Sequence, residues 1–156
     1  MCIRRLGGGG GTAVLILDED MDLLDRLKQL LSDKEQGVQH LARITMVSTA
    51  TEAEEEFLEG HTYDTMVVDL PLDHSDMAGV VSKLREMKHG VSFVGIYPEE
   101  SVVSTENHRL FDDTVRKDSN GWLSELVLAV CMAPLMQQLK RTCRRAEKSH
   151  LTLNGK

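Results

Sequence analysis

Short apolar runs alternate along the chain with stretches in which apolar residues recur every three or four positions. The first kind of segment reads as a buried strand and the second as an amphipathic helix. Residues Ala13 to Leu17 form the first run, ending in Asp18, Glu19 and Asp20, and Leu23, Leu24, Leu27, Leu30 and Leu31 then line one helical face. RITMV (43–47) predicts a second strand, and Thr51-x-x-Glu54 a capping box that opens a short helix stopping at Gly60. A third strand covers 64–68, followed by a helix whose buried face is Val80, Val81, Leu84 and Met87, with Gly90 as its stop. VSFVGIY (91–97) predicts a fourth strand closed by Pro98, residues 99–110 a weak helix, and DTVRK (113–117) a fifth strand. Trp122, Leu123, Leu126, Val127, Val130 and Cys131 mark a final helix.

Strand and helix in strict alternation predict an α/β fold: a five-stranded parallel sheet with helices on both faces, flavodoxin-like. In such sheets ligands bind beyond the carboxyl ends of the strands. Three of those ends carry charge: Asp18 and Glu19 after the first strand, Asp69 after the third, and Lys117 at the end of the fifth. The third is the most telling, because TYDTMVVDLPLD (62–73) runs three apolar residues directly into Asp69. A carboxylate buried there costs several kcal/mol unless compensated. Three carboxylates and a lysine on one rim repel and desolvate one another unless they share a cation, which is a reason for such a cluster to exist.

The chain has 156 residues, 41% hydrophobic and 28% charged, which suits one domain with a single core. The longest apolar stretch, 126–136, is too short to span a bilayer, and MCIRRLGGGGG lacks the apolar core of a signal peptide, so a cytoplasmic protein is expected. Cys2, Cys131 and Cys143 have neither disulfide nor metal-site spacing. Residues 135–156 hold six Lys/Arg (Lys140, Arg141, Arg144, Arg145, Lys148, Lys156) against Glu147 alone, a net of +5, while the first 134 residues carry −12. An acidic body argues against nucleic-acid binding, and the basic end reads either as a solvated helical face or as a surface for an acidic partner. The five glycines at 7–11 precede the first strand and lack the spacing and Lys of a phosphate loop. The expected organisation is a flexible Gly-rich leader (1–11), a domain over 12–133, and a basic helical extension and tail (134–156). Pro134 predicts either a kinked continuation of the last helix or the start of a new one.

ILDED after strand one, VVDL after strand three and DDTVRK in strand five together resemble the receiver domain of two-component response regulators, over roughly residues 12–133. The resemblance implies that Asp69 accepts a phosphoryl group from a phosphohistidine on a sensor histidine kinase or histidine phosphotransfer protein. It implies that Asp18, Glu19, Asp69 and the backbone carbonyl of Pro71 hold Mg2+, and that Lys117 pairs with a phosphoryl oxygen. It implies a phosphorelay signalling protein and not an enzyme, with at most slow autodephosphorylation. Phosphoryl transfer needs positioning and charge neutralisation more than covalent help, which suits this residue set.

Several positions depart from the family pattern. Where the family carries Thr or Ser at the end of strand four, this chain has Gly95 or Ile96, and Thr114 stands where a Tyr or Phe is usual. Glu19 replaces the commoner Asp, the loop LPLDHSDMAG is about two residues longer than usual, and Asp118 follows Lys117 in place of Pro. His74 in that loop reads as a solvated residue. These departures predict a long-lived phosphoryl group and an output that runs through the C-terminal helix, with a homodimer through that helix as a candidate. The alternative is a pseudo-receiver, a protein-interaction module working without phosphate. With no room after Lys156 for an output domain, the chain reads as a stand-alone receiver or as part of a longer protein.

Overall fold

A computed structural model describes residues 4–6, 13–19, 23, 25–26, 43–70, 77–88, 90–98, 109–117 and 121–154. The strands are β1 (Arg4–Leu6), β2 (Ala13–Leu17), β3 (Arg43–Val47), β4 (Thr65–Asp69), β5 (Ser92–Tyr97) and β6 (Asp113–Arg116). The helices are α1 (Ala50–Leu58), α2 (Met77–Met87) and α3 (Trp122–Asn154). Leu23, Asp25 and Arg26 are helical as expected, whereas Leu24, Leu27, Leu30, Leu31 and residues 99–108 lie outside the described residues.

The sheet order is β1-β3-β2-β4-β5-β6. Strands β2 to β6 pair in parallel throughout, as the alternation predicts. The sixth strand corrects the reading of 1–11 as a wholly flexible leader: Arg4–Leu6 adds antiparallel to β3, opposite Ile44 to Met46. Three residues are too short to announce a strand by periodicity. The pairing arises because the outer edge of β3 offers unpaired backbone groups. The glycines at 7–11 lie outside the described residues.

Alternation along each strand splits the core into two layers. Leu15, Leu17, Met66, Val68, Phe93 and Tyr97 face α1 and α2, where Ala53, Phe57, Val81 and Leu84 pack on them. Val14, Ile16, Val67, Val94, Ile96 and Val115 face Leu23 and α3, which contributes Leu126, Ala129 and Val130.

Two boundaries differ from the sequence reading. The cap of α1 is Thr49, whose hydroxyl accepts the Glu52 N–H at 3.2 Å while Glu52 accepts from the Ser48 hydroxyl at 3.1 Å. Thr51 stands inside the helix, because β3 ends at Val47 and leaves only Ser48 as a link. Gly60 ends that helix as expected, with φ 84°, a left-handed conformation that favours glycine. Helix α3 is continuous over 33 residues and runs through Pro134, so of the two expectations it is the continuation and not the start of a new helix that is found. No helix among the described residues is long and apolar enough to cross a membrane.

Candidate functional site

The carboxyl ends of β2, β4 and β6 meet at one rim. Asp69 is the last residue of β4 and pairs with Ile96 of β5, which in turn pairs with Val115 of β6. In a parallel ladder, paired residues face the same side, so Asp69 follows Val67, and Lys117 follows Val115, onto the α3 face of the sheet. Lys117 extends β6 by donating its backbone N–H to the Tyr97 carbonyl at 3.0 Å. Its ammonium then reaches across β5 to Asp69, at 2.9 Å from Oδ1 and 3.0 Å from Oδ2. The Asp69 side chain is only 11% exposed, so a cation on both oxygens supplies the compensation that its burial demands.

Asp18 follows Leu17, which pairs with Val68, and so stands level with Asp69 on the neighbouring strand. It is buried, and its Oδ2 accepts the Leu23 N–H at 3.0 Å. That bond fixes the orientation of the carboxylate. Glu19 beside it is exposed. Asp69, Lys117 and Asp18 thus share the rim, with Glu19 at its outer lip. Pro71, His74 and Asp118 lie outside the described residues. Two carboxylates at adjacent strand ends form a hard oxygen donor set of the kind Mg2+ takes.

Register decides which residue stands where a hydroxyl was sought. Ile96, not Gly95, is the neighbour of Asp69, and it is fully buried in the α3-side core. Gly95 faces the other way, where a Cβ would come within 2.8 Å of the Phe111 ring. Phe111 also meets Tyr97 edge-on, at 6.1 Å between ring centres. The space over Gly95 and beside Thr114 is therefore filled by an aromatic from the turn before β6. Tyr97 is itself buried in that layer, and burial raises its phenol above the ordinary 10.0. It belongs to the sheet face opposite Asp69.

Sequence reasoning treated Trp122 only as a helix marker. At the first turn of α3 its indole stacks against two cations, Lys117 Nζ at 5.5 Å and the Arg26 guanidinium at 5.8 Å from the ring centre. Lys117 is thereby held from two sides, by Asp69 and by the helix. A lone Trp five residues after the lysine was the available signal. Asp112, read as part of the DDTVRK pattern, instead anchors the entry to β6. Its Oδ2 accepts from the Phe93 N–H at 2.8 Å and from Arg85 at 3.3 Å.

A second polar cluster joins Glu56, Glu59 and His61, with donor atoms close enough to surround a cation. It sits before the start of β4, at the other end of the sheet from Asp69. Its buried member, Glu56, accepts a 2.6 Å hydrogen bond from the Tyr63 hydroxyl, and His61 lies 3.2 Å from Glu59, so these groups satisfy one another.

No family model matches the chain, and no curated protein matches it. Solved structures do. The chain is similar to a response regulator receiver domain protein (CheY-like) from Methanospirillum hungatei JF-1, with TM-score 0.62 and 18% identity over 84% of this chain and 99% of that one. It is similar to a two-component response regulator from Clostridium difficile, with TM-score 0.57 and 22% identity over 80% and 95%. A structure described as adenylate cyclase from Rhodopirellula baltica aligns with TM-score 0.65 and 16% identity over 89% and 98%. At these identities the likeness is one of fold, and the fold is that of a response regulator receiver domain.

Proposed function

We propose that the chain is a phosphoacceptor signalling domain. In this reading a phosphoryl group passes from a phosphohistidine of a sensor histidine kinase or phosphotransfer protein to a carboxylate oxygen of Asp69. An O–P bond forms as the N–P bond breaks, and the electron pair leaves with the imidazole. The observation that carries the reading is the Lys117 ammonium on both Asp69 oxygens at the carboxyl rim of the sheet. A lysine in that position holds the acceptor and remains beside it to neutralise charge as it builds on the transferring group.

Asp18, Glu19, Asp69 and the Pro71 carbonyl are the groups that would hold Mg2+, which when bound supplies charge neutralisation for phosphoryl oxygens. The buried Asp18, anchored by the Leu23 N–H, is the preorganised member of that set. Pro71 offers no side chain to orient an attacking water, so the acyl phosphate on Asp69 is long-lived. Ile96 offers no hydroxyl to turn toward it. The route for output is instead Lys117 to Trp122 and so into α3. The domain transmits without catalysing turnover of a substrate, works in the cytoplasm, and meets two kinds of partner: the phosphodonor protein, and a second copy of itself along α3.

The test is incubation with a small phosphodonor and Mg2+, followed by intact-mass measurement. One phosphate adduct is expected, lost in Asp69→Asn, and decaying over minutes to hours. Decay within seconds overturns the long lifetime. No adduct together with no Mg2+ binding favours the pseudo-receiver, which the apolar Ile96 beside Asp69 and the aromatic-filled space over Gly95 recommend as the second reading.

A further inference from the structure

Helix α3 leaves the sheet after its first turns. Leu126, Ala129 and Val130 are buried against the strands, whereas residues 141–149 are all exposed. Among the described residues, four large apolar side chains on this helix face solvent: Leu128 (63% exposed), Met132 (43%), Leu135 (58%) and Leu139 (57%). Their spacing of four, three and four residues is that of alternating seam positions in a heptad. The same rule continues onto Thr142, Ala146 and Ser149, all small and all exposed. At 3.6 residues per turn this seam is centred about 140° from the buried stripe. A partner helix can therefore lie on it without displacing the sheet.

The surroundings of the seam say what lies there. Arg141, Arg144 and Lys148 fall on the outer positions of the heptad, and of the described residues beside the seam in the arm, Gln138 and Cys143 are uncharged while Arg145 is basic. A two-in-seven seam is narrower than the apolar face a membrane-surface helix needs. The large residues occupy its first half and the small ones its second. Two such helices running in opposite directions bring large against small toward the ends, with Leu128 facing Ala146 and Met132 facing Thr142, and set Leu135 against Leu139 at the centre. Parallel strands would instead stack Ala on Ala and Ser on Ser. Opposed strands also carry the basic end of each chain, +5 over residues 135–156, along the other chain's acidic body of −12.

We infer that the exposed face of α3 is a homodimer seam in which two copies pair antiparallel. This deepens the homodimer just proposed. It does not depend on phosphoryl transfer, and its test uses no phosphodonor.

The experiment uses the full chain in a cysteine-free background (Cys2→Ser, Cys131→Ala, Cys143→Ser). Leu128→Cys and Ala146→Cys stand about 27 Å apart along one helix, so a disulfide between them can join only opposed chains. Under mild oxidation the mixture of the two variants is expected to cross-link, and neither variant alone. In sedimentation the unsubstituted chain is expected at twice the chain mass and Leu135→Glu/Leu139→Glu at once that mass. Arg144→Glu, on the outer face, remains dimeric. The thermal midpoint of the double variant, measured by circular dichroism, separates loss of the seam from loss of the fold. A monomeric unsubstituted chain, cross-linking of either variant alone, or binding to anionic vesicles that the double variant abolishes would overturn the inference.

Discussion

Lys117 holds both oxygens of Asp69, and that contact has a sign that can be measured. Removing the ammonium in Lys117→Met takes a cation from a carboxylate that is only 11% exposed and stands level with the buried Asp18. Breaking a largely buried pair from one side costs more than the pair contributed. We expect a loss of about 1–3 kcal/mol in urea unfolding, and expect Asp69→Asn in the same background to restore part of it by removing the charge that lost its lysine. An unchanged stability in Lys117→Met would mean that the pair is solvated and not structural. Tyr97 makes a second residue-scale prediction. Its phenol ionises less readily folded than unfolded, because burial holds it above 10.0. The stability this contributes is fully present below pH 10.0 and is lost as pH rises through the raised folded value. Unfolding midpoints of the unsubstituted chain should therefore fall above that pH more steeply than those of Tyr97→Phe.

Among the elements, the strands were the legible part. Apolar runs such as MVV and FVGIY have no other soluble home than a sheet covered on both faces. Their charged ends were legible for the same reason, since Asp18, Asp69 and Lys117 each interrupt or close a run that burial otherwise explains. The cap was misplaced because the segment contains two T-x-x-E frames, Thr49 to Glu52 and Thr51 to Glu54, and only the end of β3 chooses between them. Gly95 was not legible either: nothing in VGIY says that a ring from sixteen residues downstream occupies its Cβ position. That packing is testable. Gly95→Ala must push the Phe111 ring by several tenths of an ångström, and overpacking of this kind costs about 1–3 kcal/mol. Phe111→Leu should recover part of that cost in Gly95→Ala, a coupling that a double-mutant cycle in urea reads directly. Additive losses would show that the ring moves freely.

At the scale of the whole molecule, the chain is an acidic receiver fold with material added at both edges of its plan. Strand β1 covers the outer edge of β3, and α3 carries a basic arm away from the body. The strand was not visible to periodicity, because RRL is too short to show an alternation. Deleting residues 1–6 removes the β1–β3 ladder and bares the edge of β3, where further strands can add. We expect a loss of about 1–2 kcal/mol, a few degrees in Tm for a chain of this size, and light scattering that rises with concentration. A truncated chain that melts and scatters like the full one would mean that β1 contributes no stability and that the edge of β3 needs no cover.

Trp122 is the sole tryptophan of the chain, and it lies between Lys117 and Arg26. An indole's emission is sensitive to the electric field of nearby charges, so the protein carries its own optical probe, wired to Asp69 through Lys117. Loading Asp69, or drawing Lys117 away from the ring, should alter the colour and intensity of that emission with no dye attached. Stopped-flow fluorescence of the unlabelled chain would then follow, in real time, the moment at which charge at the rim is first felt by the helix that leaves the domain.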